Sequence, residues 1–418
     1  MSYKSIDEPI IKSMIDDDLY KITMANAAIK LFPDLKVEYE FFNRNNVKFP
    51  EGFDIELSKQ VNRMKDLALT NDEKRFLSKK CGTYLAPPFL DFLYGYRYDP
   101  SEVMIMMDNN GKLDIKIKGY WYRTILWEVK LMAVISELYF KMTTSEENYP
   151  TKEKLESVTG SLSTKMAVEL KSNNCEWSDM GTRRRFSYDN HDIAVKYLKL
   201  YGSPNFIGTS NMHLAMKHDV KCLGTVAHEF YMVNNALFGY RMGNHMANEN
   251  WSNVYSGKLG TALTDTLTSE SFFKTFTLKQ ARLFDGVRCD SGSPFQYVDM
   301  VVDFYKENNI DPLSKIAVFS DGLDTELAIK VHNYCKSKIQ CKLGVGTFIS
   351  NNLKSIGFTP LNMVIKLTRV FVDGVWVDTV KISDNKGKVM GPEDEVGLCK
   401  RTMGIINTDY DRVPAGNE

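Results

Sequence analysis

The feature that most constrains this chain is a repeat of pattern rather than of letters. From about Trp177 onward, short apolar stretches alternate with amphipathic helical ones. The strand candidates end in SDMGTRRR, NFIGTS, KCLGT, GTALTD, LFDGVRCD, IAVFSD and CKLGVGT. Each runs into a helical pattern, such as SPFQYVDMVVDFYKE after GVRCD. Buried parallel strands read as continuous apolar runs, and strands that alternate with helices build a parallel sheet. About seven such units predict an irregular α/β barrel over residues 146–361.

Residues 1–145 read differently. VEYEFF (37–42) and LDIKIKG (113–119) are strand-like, and Tyr122 to Met142 is apolar at helical spacing. An α+β N-terminal domain is expected there. After the barrel, NMVIKLTRVF and GVWVDTVKISD form two strands with no helix between them. Residues 362–418 are therefore predicted to return to the N-terminal domain.

Composition excludes several roles. Of the 418 residues, Lys plus Arg and Asp plus Glu number 53 each, so nothing points to nucleic acid. The longest apolar stretches are too short and interrupted to cross a bilayer, so no membrane partner is expected. Seven scattered cysteines with no CxxC pair, Cys335 and Cys341 among them, suggest free thiols in a reducing, cytoplasmic compartment.

Polar residues stand where each strand gives way to its helix: Ser210, Thr225, Asp265, Arg288, Asp290, Asp321 and Thr347. One alone would be a turn or a cap. Seven in register argue for the rim of an active site. In GVRCDSGSP (286–294), Arg288 and Asp290 are two residues apart and share a face. Arg288 suits phosphate or carboxylate; Asp290 suits Mg²⁺ or ribose hydroxyls. Gly344, Gly346 and Thr347, with Asp321-Gly322, offer two backbone turns for phosphate. In GTRRR, an extended chain would send Arg183 and Arg185 to one face and Arg184 to the other. His228, in GTVAHEF, reads as a core residue, a metal ligand, a general base or a nucleophile. No HExxH or GxSxG supports a zinc hydrolase or a serine hydrolase.

DDDLYKITM (16–24), DMGTRRR, IGTSNM, GTVAHE, ALTDT, GVRCDSGSP, FSDGLD and GVGT, in this order, resemble the signatures of nicotinate phosphoribosyltransferases. The resemblance spans nearly the whole chain. It implies condensation of nicotinate with phosphoribosyl pyrophosphate, coupled to ATP, with Mg²⁺. It also implies a homodimer whose sites are shared, the DLY segment coming from the neighbouring subunit. His228 matches the family's autophosphorylated histidine, with Glu229 or another carboxylate orienting the ring. Tyr20 would stack on the pyridine, Thr225 would line its slot, and Arg183 and Arg288 would hold carboxylate and phosphate. Neutral Ser210 and Asn211 stand where nicotinamide-using relatives carry an acid, which favours nicotinate. Asp290 and Asp321 would face ribose or Mg²⁺, and Gly322, Gly344, Gly346 and Thr347 would take the 5′-phosphate.

Met180, Ser293 and the GVGTFISNN loop depart from the family pattern, where phenylalanine, aspartate and a GTNF-type loop are common. Met180 can still wall the ring slot through its thioether. Same-fold enzymes for nicotinamide or quinolinate are the nearest alternatives. A barrel lyase acting on a sugar phosphate would need a rim lysine, for which only Lys366 is a candidate.

Overall fold

The computed structural model describes residues 6–385 and 387–405. It holds twelve strands in two sheets. The antiparallel sheet contains β1 (Lys36–Asn43), β2 (Val103–Met107), β3 (Leu113–Tyr120), β11 (Met363–Val372) and β12 (Val375–Asp378), in the order β12-β11-β1-β3-β2. The parallel sheet contains β4 (Trp177–Asp179), β5 (Phe206–Thr209), β6 (Lys221–Cys222), β7 (Thr261–Leu263), β8 (Gly286–Cys289), β9 (Ile316–Phe319) and β10 (Gln340–Val345). All seven predicted βα units are present.

The parallel order is β6-β5-β4-β10-β9-β8-β7, so β6 and β7 are unjoined edges and the barrel is open along one seam. The helix Leu19–Leu31 lies beside that seam. Thr23 Oγ1 donates to Thr225 O at 2.7 Å just after β6, and Tyr255, shortly before β7, donates its hydroxyl to Thr23 O. Thr225 Oγ1 crosses to Thr261 O at 3.3 Å. Side chains and a helix close what the strand ladder leaves open.

β1 sits between β11 and β3, so the late strands do rejoin the early sheet as expected. After β12 the chain turns back to the barrel. Ile382 N bonds Thr266 O at 2.8 Å, and Asp384 accepts from Ser269 N at 2.9 Å. This strap, 379–385 and 387–390, lies across the β7–β8 side of the barrel mouth. Residues 406–418 of the expected return lie outside the described residues.

One continuous core joins both sheets, with Trp121, Trp127, Trp177 and Trp251 among its fully buried side chains. The helix Trp127–Thr143 buries thirteen of its seventeen residues, because it runs under the mouth against β11 and the turn at Thr182–Arg184. Some rim residues are caps: Asn211, Ser293 and Asp324 each accept a hydrogen bond from the first turn of the following helix. Asp265, Asp290 and Asp321 are not caps, which leaves their carboxylates for other work.

Candidate active site

His228 is the first residue of the helix His228–Phe238. Its ring is 6 % exposed, with Nδ1 3.1 Å from Thr266 Oγ1 and Nε2 3.1 Å from Asp290 Oδ2. Asp290 Oδ1 accepts from Ser320 Oγ at 2.6 Å. Asp265 Oδ1 lies 3.9 Å from Nε2 and is buried without a hydrogen-bond partner among the described residues. Burial, helped by Lys381, lowers the imidazole pKa to about 4 against the pull of Asp265 and Asp290. The ring is therefore neutral at pH 7 and carries one N–H. With the Asp290 carboxylate accepting that proton at Nε2, Nδ1 keeps a lone pair. The tautomer follows from the partners.

Glu229 does not orient this ring. It turns instead to Lys21, Tyr39 and Trp121, the last two at 3.2 Å. Neighbours on a helix diverge by about 100°, so residues 228 and 229 face different layers.

Arg288 and Asp290 converge as their spacing predicts. Burial opposes the Asp290 charge, yet His228 and Arg288 hold its pKa well below the usual carboxylate range. Arg288 Nε is buried and has no partner among the described residues, so a donor is left for a ligand.

The opposite wall belongs to β9, β10 and β4. Asp321 accepts from Lys388 Nζ at 2.8 Å and from Asn385 Nδ2 at 3.4 Å. Gly322 has φ 60° and open space where a side chain would begin. A Cβ on Gly344 would sit 2.5 Å from Met180 Sδ, and one on Gly346 would sit 3.3 Å from Met180 O. The glycines thus let Met180 lie over the β10 turn, where Met180 N also bonds Val345 O at 2.8 Å. Thr347 opens the short helix that follows.

Tyr20 is half-buried beside Arg183 and Glu128. Within this chain its segment packs on the chain's own barrel mouth. Asp18 Oδ1 accepts from Thr182 Oγ1 and Ser210 Oγ of the same chain, both at 2.7 Å, and Leu19 N bonds Ser210 O at 2.9 Å. The four-residue link from Ile15 to Asp18 runs straight onto β5 and fixes this path. Ser210 is neutral, but its hydroxyl is held by a buried acid. Burial raises the Asp18 pKa, while the two hydroxyl donors and Arg183 pull it down. Asn211 caps a helix and bonds Asp16 at 2.8 Å, away from any ring slot. Thr225 spends its hydroxyl across the seam.

The three arginines do not alternate. Thr182–Arg184 is a 3₁₀ turn, because Arg185 N folds back to Thr182 O. Arg183 faces Glu128 at 3.9 Å and is 40 % exposed. Arg184 donates to Met363 O at 3.0 Å. Arg185 is fully buried in a two-pronged pair with Asp16, at 2.6 and 2.7 Å, and is structural.

Four further cations, Arg44, Lys366, Lys381 and Lys388, were not assigned to the site from sequence. Lys366 stands among Glu128, Arg183, Lys381 and Asp290, and burial lowers its pKa to about 7. Lys381 is buried beside Asp265 and Asp290 with its pKa lowered, again chiefly by burial. Arg44 and Arg184 share the field of Arg183 and Asp321. All but Arg184 come from the antiparallel sheet, its adjoining loop or the strap, so no βα motif marks them. Arg44, Arg184, Lys366 and Lys381, whose pKa values burial lowers, form with Lys388 a cationic group suited to anions.

A parallel half-barrel with a neutral histidine, carboxylates and this cationic crowd at its rim defines an enzyme site for anionic small molecules. Residues 175–405 match the sequence model of the nicotinate phosphoribosyltransferase (NAPRTase) family, and residues 15–136 match that family's N-terminal domain. A nicotinate phosphoribosyltransferase of Desulforapulum autotrophicum is 44% identical over 94% of this chain and 99% of its own length. One from Chromohalobacter salexigens is 43% identical, over 95% and 99%. The crystal structure of the Porphyromonas gingivalis enzyme of that name aligns with TM-score 0.90 at 40% identity, covering 94% of this chain and 100% of that one. This chain belongs to the nicotinate phosphoribosyltransferase family.

Proposed function

We propose that the chain joins nicotinate to 5-phosphoribosyl 1-pyrophosphate, giving nicotinate mononucleotide and pyrophosphate, with ATP coupled through phosphorylation of His228. In NAD biosynthesis this is the salvage step that starts from nicotinate. The pyridine nitrogen forms the bond to ribose C1 while the C1–O bond to pyrophosphate breaks. Positive charge develops at C1, so positioning and fixed charges do more than a strong base. Tyr20 and Met180 border the ring, and Arg183 takes its carboxylate. Arg288, Arg44 and the lysines 366, 381 and 388 meet phosphate oxygens, and Gly344, Gly346 and Thr347 receive the 5′-phosphate. Asp290 and Asp321 face ribose.

The observation that carries the ATP-coupled part is the neutral imidazole held between Asp290 and Thr266. Its Nδ1 lone pair attacks the γ-phosphorus once Thr266 releases it. The N–P bond forms, the P–O bond to ADP breaks, and the Nε2 proton stays on the ring, whose positive charge the Asp290 carboxylate balances. Mg²⁺ fits the donors: Asp265 Oδ1 is buried with no hydrogen-bond partner among the described residues, and Mg²⁺ typically takes one or two carboxylates plus substrate phosphates. Asp290 and Asp265, the latter through Oδ1, would hold it, and it would neutralise pyrophosphate as that group leaves. A homodimer with shared sites remains part of this reading, as does a cytoplasmic setting.

The test is incubation with γ-labelled ATP and Mg²⁺, then peptide mapping. An acid-labile, base-stable label on the His228 peptide, discharged by phosphoribosyl pyrophosphate plus nicotinate, supports the cycle. Nucleotide formation without label leaves the transferase and removes the ATP coupling. Faster turnover of nicotinamide than of nicotinate would overturn the substrate.

A further inference from the structure

Three of the proposed site residues border a buried ion network that the chemistry above does not use. Lys21, wholly buried, contacts the carboxylates of both Glu128 and Glu229. Lys21 follows Tyr20 in the chain, and Glu229 follows His228. Glu128 presents its other oxygen to Arg183 Nη1 at 3.9 Å. The far end is closed by Tyr39 and Trp121, which donate to Glu229 Oε1.

The charges explain why Arg183 belongs to this group. Two carboxylates and one ammonium leave one negative charge in a buried cluster, which is costly unless a further cation balances it. Burial would lift the Glu128 pKa, but Lys21, Lys366 and Arg183 hold it at about 2. Lys366, with its pKa near 7, is charged only part of the time at neutral pH. Arg183 is the permanent partner. An arginine 40 % exposed would otherwise wander among rotamers, and fixing it beforehand removes that loss from substrate binding.

We infer that Glu128 is a positioning residue, which fixes the Arg183 guanidinium beside Tyr20 and is itself fixed by Lys21. The inference rests on the reading of Arg183 as the carboxylate clamp for nicotinate.

The experiment compares Glu128→Gln, Glu229→Gln and Arg183→Ala in the full chain, by steady-state kinetics with each substrate varied. Glu128→Gln should raise the KM for nicotinate on the order of ten-fold and leave kcat and the KM for phosphoribosyl pyrophosphate within about two-fold. Glu229→Gln takes a similar charge from the same lysine but does not face Arg183, so its nicotinate KM should stay within about two-fold. Equal rises in both variants would mean a merely structural network and would overturn the inference. So would an unchanged nicotinate KM in Glu128→Gln while Arg183→Ala raises it. An unchanged KM in Arg183→Ala itself would instead sink the clamp reading beneath it. In Glu128→Gln/Arg183→Ala the second change should add nothing, since both act through one guanidinium. If Glu128→Gln does not fold, Glu128→Asp is read in its place: the shorter side chain keeps the charge and loses the reach. Its nicotinate KM must rise, and no rise would overturn the inference.

Discussion

Along β7 and β8 the site is made of side chains already bonded to one another, whereas along β9, β10 and β4 it is made mainly of backbone with space above it. On the first side Thr266, His228 and Asp290 are linked by two contacts of 3.1 Å, and Asp290 is bonded at 2.6 Å by Ser320 from the end of β9. On the second, Gly322 has nothing near its missing side chain, and Gly344 and Gly346 make room for Met180. The contrast matches two tasks. A nucleophile needs its proton and lone pair placed in advance, while a phosphate can be received by N–H groups and close approach.

The largest expected effect falls on the bonded wall. His228→Ala should keep the fold and a slow ATP-independent activity while losing the ATP-stimulated rate, on the order of 10²-fold. Full ATP stimulation in that variant would show that the wall has another purpose. On the open wall, Gly344→Ala drives a methyl against Met180 Sδ and should cost about 1–3 kcal/mol in urea unfolding. An unchanged midpoint would mean that the wall is looser than its geometry.

Acid should also separate the two sides. The His228 pKa falls from 6.5 to about 4 on folding, so between those values the unfolded chain binds the proton and the folded chain does not. Stability should therefore drop as pH falls from 6.5 to 4, by at most about 1.4 kcal/mol per unit from this group. His228→Gln should flatten that slope in pH-dependent unfolding. A slope unchanged in the variant would assign it to other groups. The smallest effect is expected at Ser293→Ala, which removes an exposed cap bonded to Gln296 N at 3.5 Å and should cost about 0.5–1 kcal/mol or less in melting. A large loss of activity there would make Ser293 part of the site.

The barrel was legible because each strand announces itself twice, by an apolar run and by the polar residue that ends it. Asp290 and Arg288 were legible for the same reason, as a same-face pair on one strand. The arginines were not. GTRRR invites an extended reading, but Arg185 N folds back to form a 3₁₀ turn, and Asp16, far away in sequence, claims Arg185. Lys381, Lys388 and Arg44 stayed hidden because they reach the site from strands and loops whose local pattern is ordinary. The sequence left the partner of His228 open between Glu229 and another carboxylate for a similar reason: Glu229 is adjacent in the chain, but Asp290 is adjacent in space. Nothing local distinguishes the two.

The open seam between β6 and β7 has a consequence for how the protein is made. The helix Leu19–Leu31, which backs that seam, leaves the ribosome some two hundred residues before its partners Thr225 and Tyr255. At about 5–20 residues per second that is a wait of roughly ten to forty seconds, in which the helix has only earlier partners such as Trp121–Thr124 and Glu128. Until it docks, two parallel strand edges remain free to recruit other chains. Shortening the N-terminus should thus first show itself as aggregation during synthesis, before any defect in the finished enzyme.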